Sequence, residues 1–84
     1  MKYKATIQIM PREEILDPQG KATLQGLHKL GYEQVGQVRI GKRIELEVEA
    51  ADQAGAQATV EEACRKLLSN PVIEQFEFSL EAVN

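Results

Sequence analysis

Apolar and polar side chains alternate with a period of two along three stretches of the chain. Over residues 2–10 the odd positions are Tyr, Ala, Ile and Ile, and the even positions begin with Lys, Lys, Thr and Gln. Residues 43–50 and the C-terminal stretch repeat this alternation, the latter with Phe76, Phe78 and Leu80 as its apolar positions. Because successive side chains of a strand point to opposite faces, the pattern predicts three half-buried strands.

A shorter apolar stretch predicts one more strand. In residues 33–40, Val38 and Ile40 fall on one face. Gly41 and Lys42 separate this stretch from the strand that follows. A short connection containing glycine is typical of a β-hairpin, because glycine tolerates positive φ. The two strands are therefore expected to pair with each other.

A first helix is predicted from Pro18 to Leu30. Asp17 is a typical N-cap, proline suits the first helical position, and Gly31 marks the end. The apolar positions of this helix are Leu24, Leu27 and Leu30. Gly20 is unexpected, because glycine inside a helix costs up to ~1 kcal/mol relative to alanine. Either Gly20 packs on the chain's own sheet, or the backbone of a partner passes close to this turn.

A second helix is predicted to begin after Asp52, which is its N-cap. The sequence Ser-Asn-Pro at residues 69–71 is expected to end it. Apolar residues recur between these limits at helical spacing, which predicts an amphipathic helix. They are Ala56, Val60, Ala63, Cys64, Leu67 and Leu68.

The predicted order of elements is βαββαβ, in one domain that covers residues 1–84. Two amphipathic helices need one face of a sheet to cover, and right-handed crossovers restrict the order of its strands. We predict an α+β fold, the ferredoxin-like two-layer sandwich. In it, a four-stranded antiparallel sheet carries two helices on one face, and the first and third strands are central. Lys2 and Lys4 then lie beside acidic side chains on the open face, where opposite charges on neighbouring strands are favourable. These are Glu47, Glu49 and Glu81.

The composition narrows the choice of partners. The net charge of −3 over 84 residues argues against nucleic acid and anionic membranes. No apolar run is long enough to span a bilayer, and the alternating N-terminus is not typical of a signal peptide. A single cysteine, Cys64, is typical of the reducing cytoplasm. A domain of this size has a small core and little spare stability, and small domains are commonly stabilised by oligomerisation.

The last strand is expected at an edge of the sheet, where its unpaired backbone groups are available to another chain. Glutamates at three positions are the alternative explanation of this edge, because charge protects an open strand. We favour pairing and predict a homodimer joined at the strand that carries Phe76, Phe78 and Leu80.

One motif resembles a phosphate-binding loop but lacks its mechanism. Gly36, Gly41 and Lys42 fit the pattern, whereas Arg43 replaces the hydroxyl residue that holds magnesium. A phosphate loop also leads from a strand into a helix, and here a second strand is predicted to follow. A β-hairpin is the preferred interpretation.

Other candidates for chemistry are isolated. His28 and Cys64 have no metal ligand at close spacing, so a surface histidine and a core cysteine are expected. Glu61 and Glu62 stand at helical pairing distance from basic residues, which is typical of a solvated face. The outward positions of the central strands carry no aromatic residue on which RNA bases would stack. The sequence therefore predicts no catalytic residues, no metal ligands and no cofactor-binding residues.

Four segments in register resemble the PurS family, the small subunits of phosphoribosylformylglycinamidine synthase. They are "ILDPQGKA" at 15–22, "LHKLGY" at 27–32, "VRIGKRIEL" at 38–46 and "CRKLLSNPVIE" at 64–74. Each segment alone is weak, but together they cover nearly the whole chain. The chain departs from the family at Glu14, where many members have glycine.

The resemblance implies a non-catalytic subunit of an ATP-dependent, glutamine-hydrolysing C–N ligase complex in de novo purine biosynthesis. Such a subunit holds the synthetase subunit PurL and the glutaminase subunit PurQ together, so that ammonia from glutamine converts formylglycinamide ribonucleotide to formylglycinamidine ribonucleotide. ATP and magnesium are expected on the large partner subunit. None is expected on this chain.

The expected contacts with these partners lie on the surface. The candidate residues are Asp17, Gly20, Lys21, Arg39, Lys42, Asn70 and Pro71. An alternative function from another class also fits the predicted fold, namely a small dimeric regulatory domain that binds an amino-acid effector. The Asp-Pro-Gln-Gly turn at residues 17–20 would supply its polar groups.

Overall fold

A computed structural model describes residues 1–83, and within that range the chain forms three strands and two α-helices. A π-helical turn extends the second helix. The elements are β1 (Lys2–Pro11), α1 (Pro18–Lys29), β2 (Lys42–Glu49), α2 (Gln53–Ala63), the π-helical turn (Cys64–Leu68) and β3 (Glu74–Val83). Both helices begin as predicted, because Asp17 and Asp52 each accept a backbone N–H of the first turn. No helix in this range is long and apolar enough to cross a membrane.

β1 is the central strand of an antiparallel sheet with the order β2-β1-β3. The predicted charge pattern is confirmed by the register, because Lys4 lies opposite Glu47 on one side and Glu81 on the other. Lys2 lies opposite Glu49. The open face of the sheet therefore carries charges of both signs on neighbouring strands.

The prediction of a four-stranded sheet is wrong. Residues 33–40 form no strand in the described structure, and β2 begins at Lys42, after Gly41. A strand needs a hydrogen-bonding neighbour, and this segment pairs with none of the three strands, although the outer side of β2 is open. The segment instead returns beside the start of α1, where its Ile40 N–H meets the Asp17 carboxylate. The apolar side chains Val38 and Ile40 are half-buried, but the backbone of the segment pairs with no strand.

The predicted hairpin at Gly41 and Lys42 is also wrong. Gly31 is the one glycine with positive φ in the described residues, at 99°. Gly41 is required for a different reason, because a Cβ there would collide with the carbonyl oxygen of Ile9. Gly31 ends α1 as predicted. Its N–H and that of Tyr32 bond back to carbonyls of the last helical turn, at 3.0 Å each.

The core lies between the sheet and α2, which packs on all three strands. Every second side chain of β1 is buried there, as predicted from the alternation. The buried apolar residues are Tyr3, Ala5, Ile7, Ile9, Ala56, Val60 and Cys64. Inward side chains of β2 and β3 pack around them and remain half-buried.

The prediction that both helices cover one face of the sheet is wrong for α1. This helix has no substantial packing contact with the sheet or with α2. Together with residues 30–40 it forms a projection that we call the arm (residues 18–40). The Cα radius of gyration is 16.5 Å, whereas a compact chain of this length has about 12 Å. Apolar side chains of the arm are consequently left in solvent, with Leu30 75% exposed.

The π-helical turn shifts the side chains at the end of α2. Ser69 closes this turn with its N–H and its hydroxyl, both donated to the Cys64 carbonyl at 2.9 and 2.8 Å. Leu68 packs against the core, whereas Leu67 is 82% exposed. Leu67 therefore does not share the buried side of the helix with the other apolar residues, because α-helical spacing does not hold where a turn contains an extra residue.

The two adjacent leucines provide a matched test of this turn. Leu68→Ala is expected to lower the free energy of unfolding by about 2 kcal/mol, because it leaves a cavity beside the core. Leu67→Ala is expected to change it by less than ~0.5 kcal/mol, since its side chain is in solvent. Urea unfolding at one fixed protein concentration measures both. Equal losses would show that α2 continues as a regular α-helix.

Candidate partner interface

The carboxylate of Asp17 joins the two ends of the arm. Oδ1 accepts the N–H of Gly20 at 2.9 Å, which caps α1, and Oδ2 accepts the N–H of Ile40 at 3.0 Å. These two bonds, together with the nearby Arg39 guanidinium, lower the pKa of Asp17 below its ordinary value. One side chain thus begins the helix and fixes the point at which the chain returns to the sheet.

Arg39 attaches the same end of the arm to the end of β1. Its Nη2 donates to the carbonyl oxygen of Pro11, and its Nη1 lies 3.8 Å from the Glu13 carboxylate. The Arg39 side chain is 24% exposed, so the guanidinium is largely engaged by its own chain. The hydrogen bonds of Asp17 and Arg39 together fix the direction in which the arm leaves the sheet.

Gly20 lies where the two ends of the arm touch. It is buried, and a Cβ at this position would collide with the carbonyl oxygen of Val38. Of the two explanations that the sequence left open, the structure supports close packing within the chain, although against residues 38–40 and not against the sheet. The backbone that passes close to this turn is the chain's own.

A second connection ties the loop before β3 to the end of β1. The Arg12 side chain donates from Nε and Nη2 to the carbonyl oxygen of Pro71, at 3.2 and 2.7 Å, and its N–H donates to Ile73 at 2.9 Å. Asn70 shapes the turn itself, because its Oδ1 accepts the N–H of Val72 at 3.1 Å. Its own N–H donates to the Glu74 carboxylate at 2.7 Å.

These connections bring the seven predicted interface residues to one end of the sheet, which we call the arm-base surface. A shallow cleft of about 270 Å³ lies there, with Asp17, Lys42 and Glu74 in its wall. Lys21, Lys42, Asn70 and Pro71 are exposed, Asp17 and Arg39 are half-buried, and Gly20 is buried. The exposed four are therefore the side chains of this set that a partner is able to reach.

The predicted dimer residues lie elsewhere. β3 is an edge strand, and its Phe76, Phe78 and Leu80 are half-buried on the face that α2 covers. They line a groove of about 610 Å³ between β3 and α2. β3 lies at an edge as predicted, and β2 is likewise open on its outer side in the described sheet.

Sequence reasoning missed Arg12 and Val38. Arg12 reaches a carbonyl 59 residues further along the chain, and no local pattern indicates such a contact. Val38 was assigned to a strand, whereas its carbonyl is the neighbour that requires Gly20. Gly20 was the residue in the sequence that could have indicated the contact at Val38, as Gly41 could for the one at Ile9, since both mark close backbone approaches.

The remaining candidates for chemistry have structural roles. His28 is exposed, and its Nε2 donates to the Val35 carbonyl at 2.8 Å. Burial raises the pKa of the Cys64 thiol, with a smaller contribution from the Glu61 carboxylate, so the thiol stays protonated at neutral pH. The residues that the structure describes contain no group of three or more potential metal ligands. Lys42 begins a strand, so the helix that a phosphate loop needs is missing.

The protomer has two open sheet edges, a projecting arm and an exposed arm-base surface. These features are typical of a small subunit that associates with other chains. The family model described as PurS, phosphoribosylformylglycinamidine (FGAM) synthase, matches residues 4–82. The chain belongs to the PurS family, and it is a non-catalytic subunit of FGAM synthase, the ligase complex of purine biosynthesis.

Curated relatives and solved structures agree with this assignment. The chain is 46% identical to a PurS subunit from Synechocystis, over 96% of this chain and 81% of that one. It is 42% identical to PurS of Bacillus subtilis, over 96% and 95% of the two chains. A chain in the structure of PurLQS from Thermotoga maritima matches with a TM-score of 0.88 at 34% identity, over 96% and 99%. None of these supports the amino-acid-binding alternative.

Gly20→Ala is expected to lower the free energy of unfolding by about 1–3 kcal/mol, because the Val38 carbonyl must move to admit a methyl group. The matched control is Gly26→Ala in the same helix, where the added Cβ has no atom within 4 Å apart from its own helix backbone and chain neighbours. That change is expected to stabilise the protein by about 0.5–1 kcal/mol through helix propensity. Equal effects of the two substitutions would contradict the close approach.

Asp17→Asn tests the lowered pKa of Asp17. The charged carboxylate stabilises the folded chain above its ordinary pKa, and this contribution is lost as the pH falls through the lower pKa of the folded state. The wild type is therefore expected to be more stable than the variant at pH 7, and the difference is expected to shrink below about pH 4. A difference that stays constant from pH 7 to pH 2, measured by urea unfolding, would contradict this role.

Proposed function

We propose that this chain holds the synthetase subunit PurL and the glutaminase subunit PurQ together and supports the transfer of ammonia between them. The observation that carries the proposal is the likeness to a chain in the PurLQS structure from Thermotoga maritima, over nearly the full length of both chains. ATP and magnesium belong to the large partner subunit in this proposal. The reaction takes place in the cytoplasm, in keeping with a single free cysteine.

The arm-base surface is the proposed contact with these partners. Lys21 and Lys42 supply exposed positive charge there, and Asn70 and Pro71 supply an exposed turn. The turn is held by hydrogen bonds of Asn70 and Arg12, so it meets a partner already ordered and loses little conformational freedom on binding.

The chain is also proposed to form a homodimer. The buried core is small, both outer strands are open, and several large apolar side chains are in solvent. They are Met1, Leu16, Leu30, Tyr32, Leu67, Val72 and Ile73. Pairing at a sheet edge satisfies the free backbone groups and removes apolar surface from water at the same time.

The coupling role is tested by formation of the amidine product from the cognate PurL and PurQ, with and without this chain. Glutamine-driven synthesis is expected to require the chain, whereas synthesis driven by added ammonia is expected to proceed without it. Equal glutamine-driven rates in both mixtures would overturn the proposal. Lys21→Ala, at the arm-base surface, is expected to raise the concentration of chain needed for half-maximal rate. The matched control Lys66→Ala, an exposed lysine of the π-helical turn paired with Glu62, is expected to leave it unchanged.

A further inference from the structure

β3 is a strand of 10 residues that pairs on one side only in the described sheet. β1 runs along its inner side over the whole length from Glu74 to Val83, and the outer side is open. An open edge of this length is a template for another backbone, because an extended segment adds to it through main-chain hydrogen bonds. The side chains on the two faces of β3 decide which segment fits.

An apolar groove lies along β3 on the side of α2. Phe76, Phe78 and Leu80 are half-buried in it, and the centroids of the two phenylalanine rings are 6.4 Å apart in a stacked arrangement. The Arg65 guanidinium lies 5.7 Å from the centroid of the Phe76 ring and pairs with Glu61 at 3.0 Å. The floor of the groove is thus apolar and the charges of this ion pair are matched. Apolar side chains of an added strand fit there.

The opposite face of β3 is acidic. Its outward positions, all exposed, are Gln75, Glu77, Ser79 and Glu81. No ion pair within residues 1–83 includes Glu77 or Glu81. Glu77 has the uncharged Gln8 beside it on β1, and Lys4, which lies opposite Glu81, places its Nζ 3.6 Å from Glu45 instead. The edge therefore presents negative charge without a cation close to it.

The two faces together specify the chemistry of a strand beside β3. Side chains of paired strands alternate between the faces in register, so this strand needs apolar residues toward the groove and basic residues beside Glu77 and Glu81. A second copy of β3 meets only the first requirement. Its own Glu77 and Glu81 would lie on the same face, which places like charges on adjacent strands.

We propose that the β3 edge receives an extended segment of a partner subunit, apolar on the side of α2 and basic on the open face. The proposal rests on the proposed association with PurL and PurQ, and it adds a contact away from the arm-base surface. The glutamates that protect this edge against a second copy also select a basic strand. The proposed homodimer then uses a surface other than β3.

Amide hydrogen exchange of the full chain, alone and in the complex with the cognate PurL and PurQ, tests the proposal. The amides on the outer side of β3 are expected to exchange rapidly in the chain alone and slowly in the complex. Rapid exchange in both would overturn strand addition and leave the proposed function standing. Slow exchange in the chain alone would assign this edge to a second copy and also overturn strand addition. Failure of the three proteins to associate would overturn both proposals.

Charge reversal at Glu77 provides the matched test of partner chemistry. Glu77→Lys is expected to raise the dissociation constant of the complex about 10-fold at low salt, because attraction across the strands becomes repulsion. The control Glu62→Lys makes the same change of charge on α2 outside the groove, where Glu62 pairs with Lys66, and is expected to leave the constant unchanged. Both side chains are exposed, so urea unfolding is expected to show folded variants of similar stability. Equal dissociation constants of the two variants would contradict a basic strand beside β3.

Discussion

The shape of the protomer depends on one carboxylate that serves two backbone groups. Asp17 caps α1 through Gly20 and holds Ile40 at the point where the chain returns to the sheet. A hydrogen bond that a backbone N–H donates to a charged acceptor is stronger than one between neutral groups. It is especially effective here, because it links two segments separated by 23 residues. Among the described residues, it is the hydrogen bond that joins the start of α1 directly to the end of the arm.

The core is small because α1 projects with the arm and does not cover the sheet. α2 alone covers the sheet, so the apolar stripe of α1 and the inward side chains of both outer strands are incompletely buried. A chain of this length has little stability to spare. Further burial therefore has to come from other chains, which is consistent with a family whose members are subunits of a multi-chain enzyme.

Two arginines order the irregular segments of the arm-base surface. The guanidinium groups of Arg12 and Arg39 donate hydrogen bonds to carbonyl oxygens of the chain itself, at Pro71 and Pro11 respectively. These contacts order two irregular segments that the sheet does not hold. Lys21 in α1 and Lys42 at the start of β2 are exposed at the same end of the sheet. Charged side chains are thus used here for internal positioning and, in the proposed function, also for contact with partners.

Local features of the fold were predictable from the sequence, because they depend on neighbours along the chain. The N-caps Asp17 and Asp52, the helix end at Gly31 and the alternation of β1 each follow from backbone groups within a few residues. The facing charges on β1 and its neighbours followed from the period of two. The fourth strand, the cover of α1 and the reason for Gly20 were not predictable in this way. They depend on which distant backbone lies alongside, and the carbonyls of Val38 and Ile9 decide that in space. Sequence alone was sufficient for the helix N-caps, the three alternating strands, the family and the charged face of this protein. The position of the arm depends on tertiary contacts, because strand pairing and close backbone approach join segments far apart in the chain.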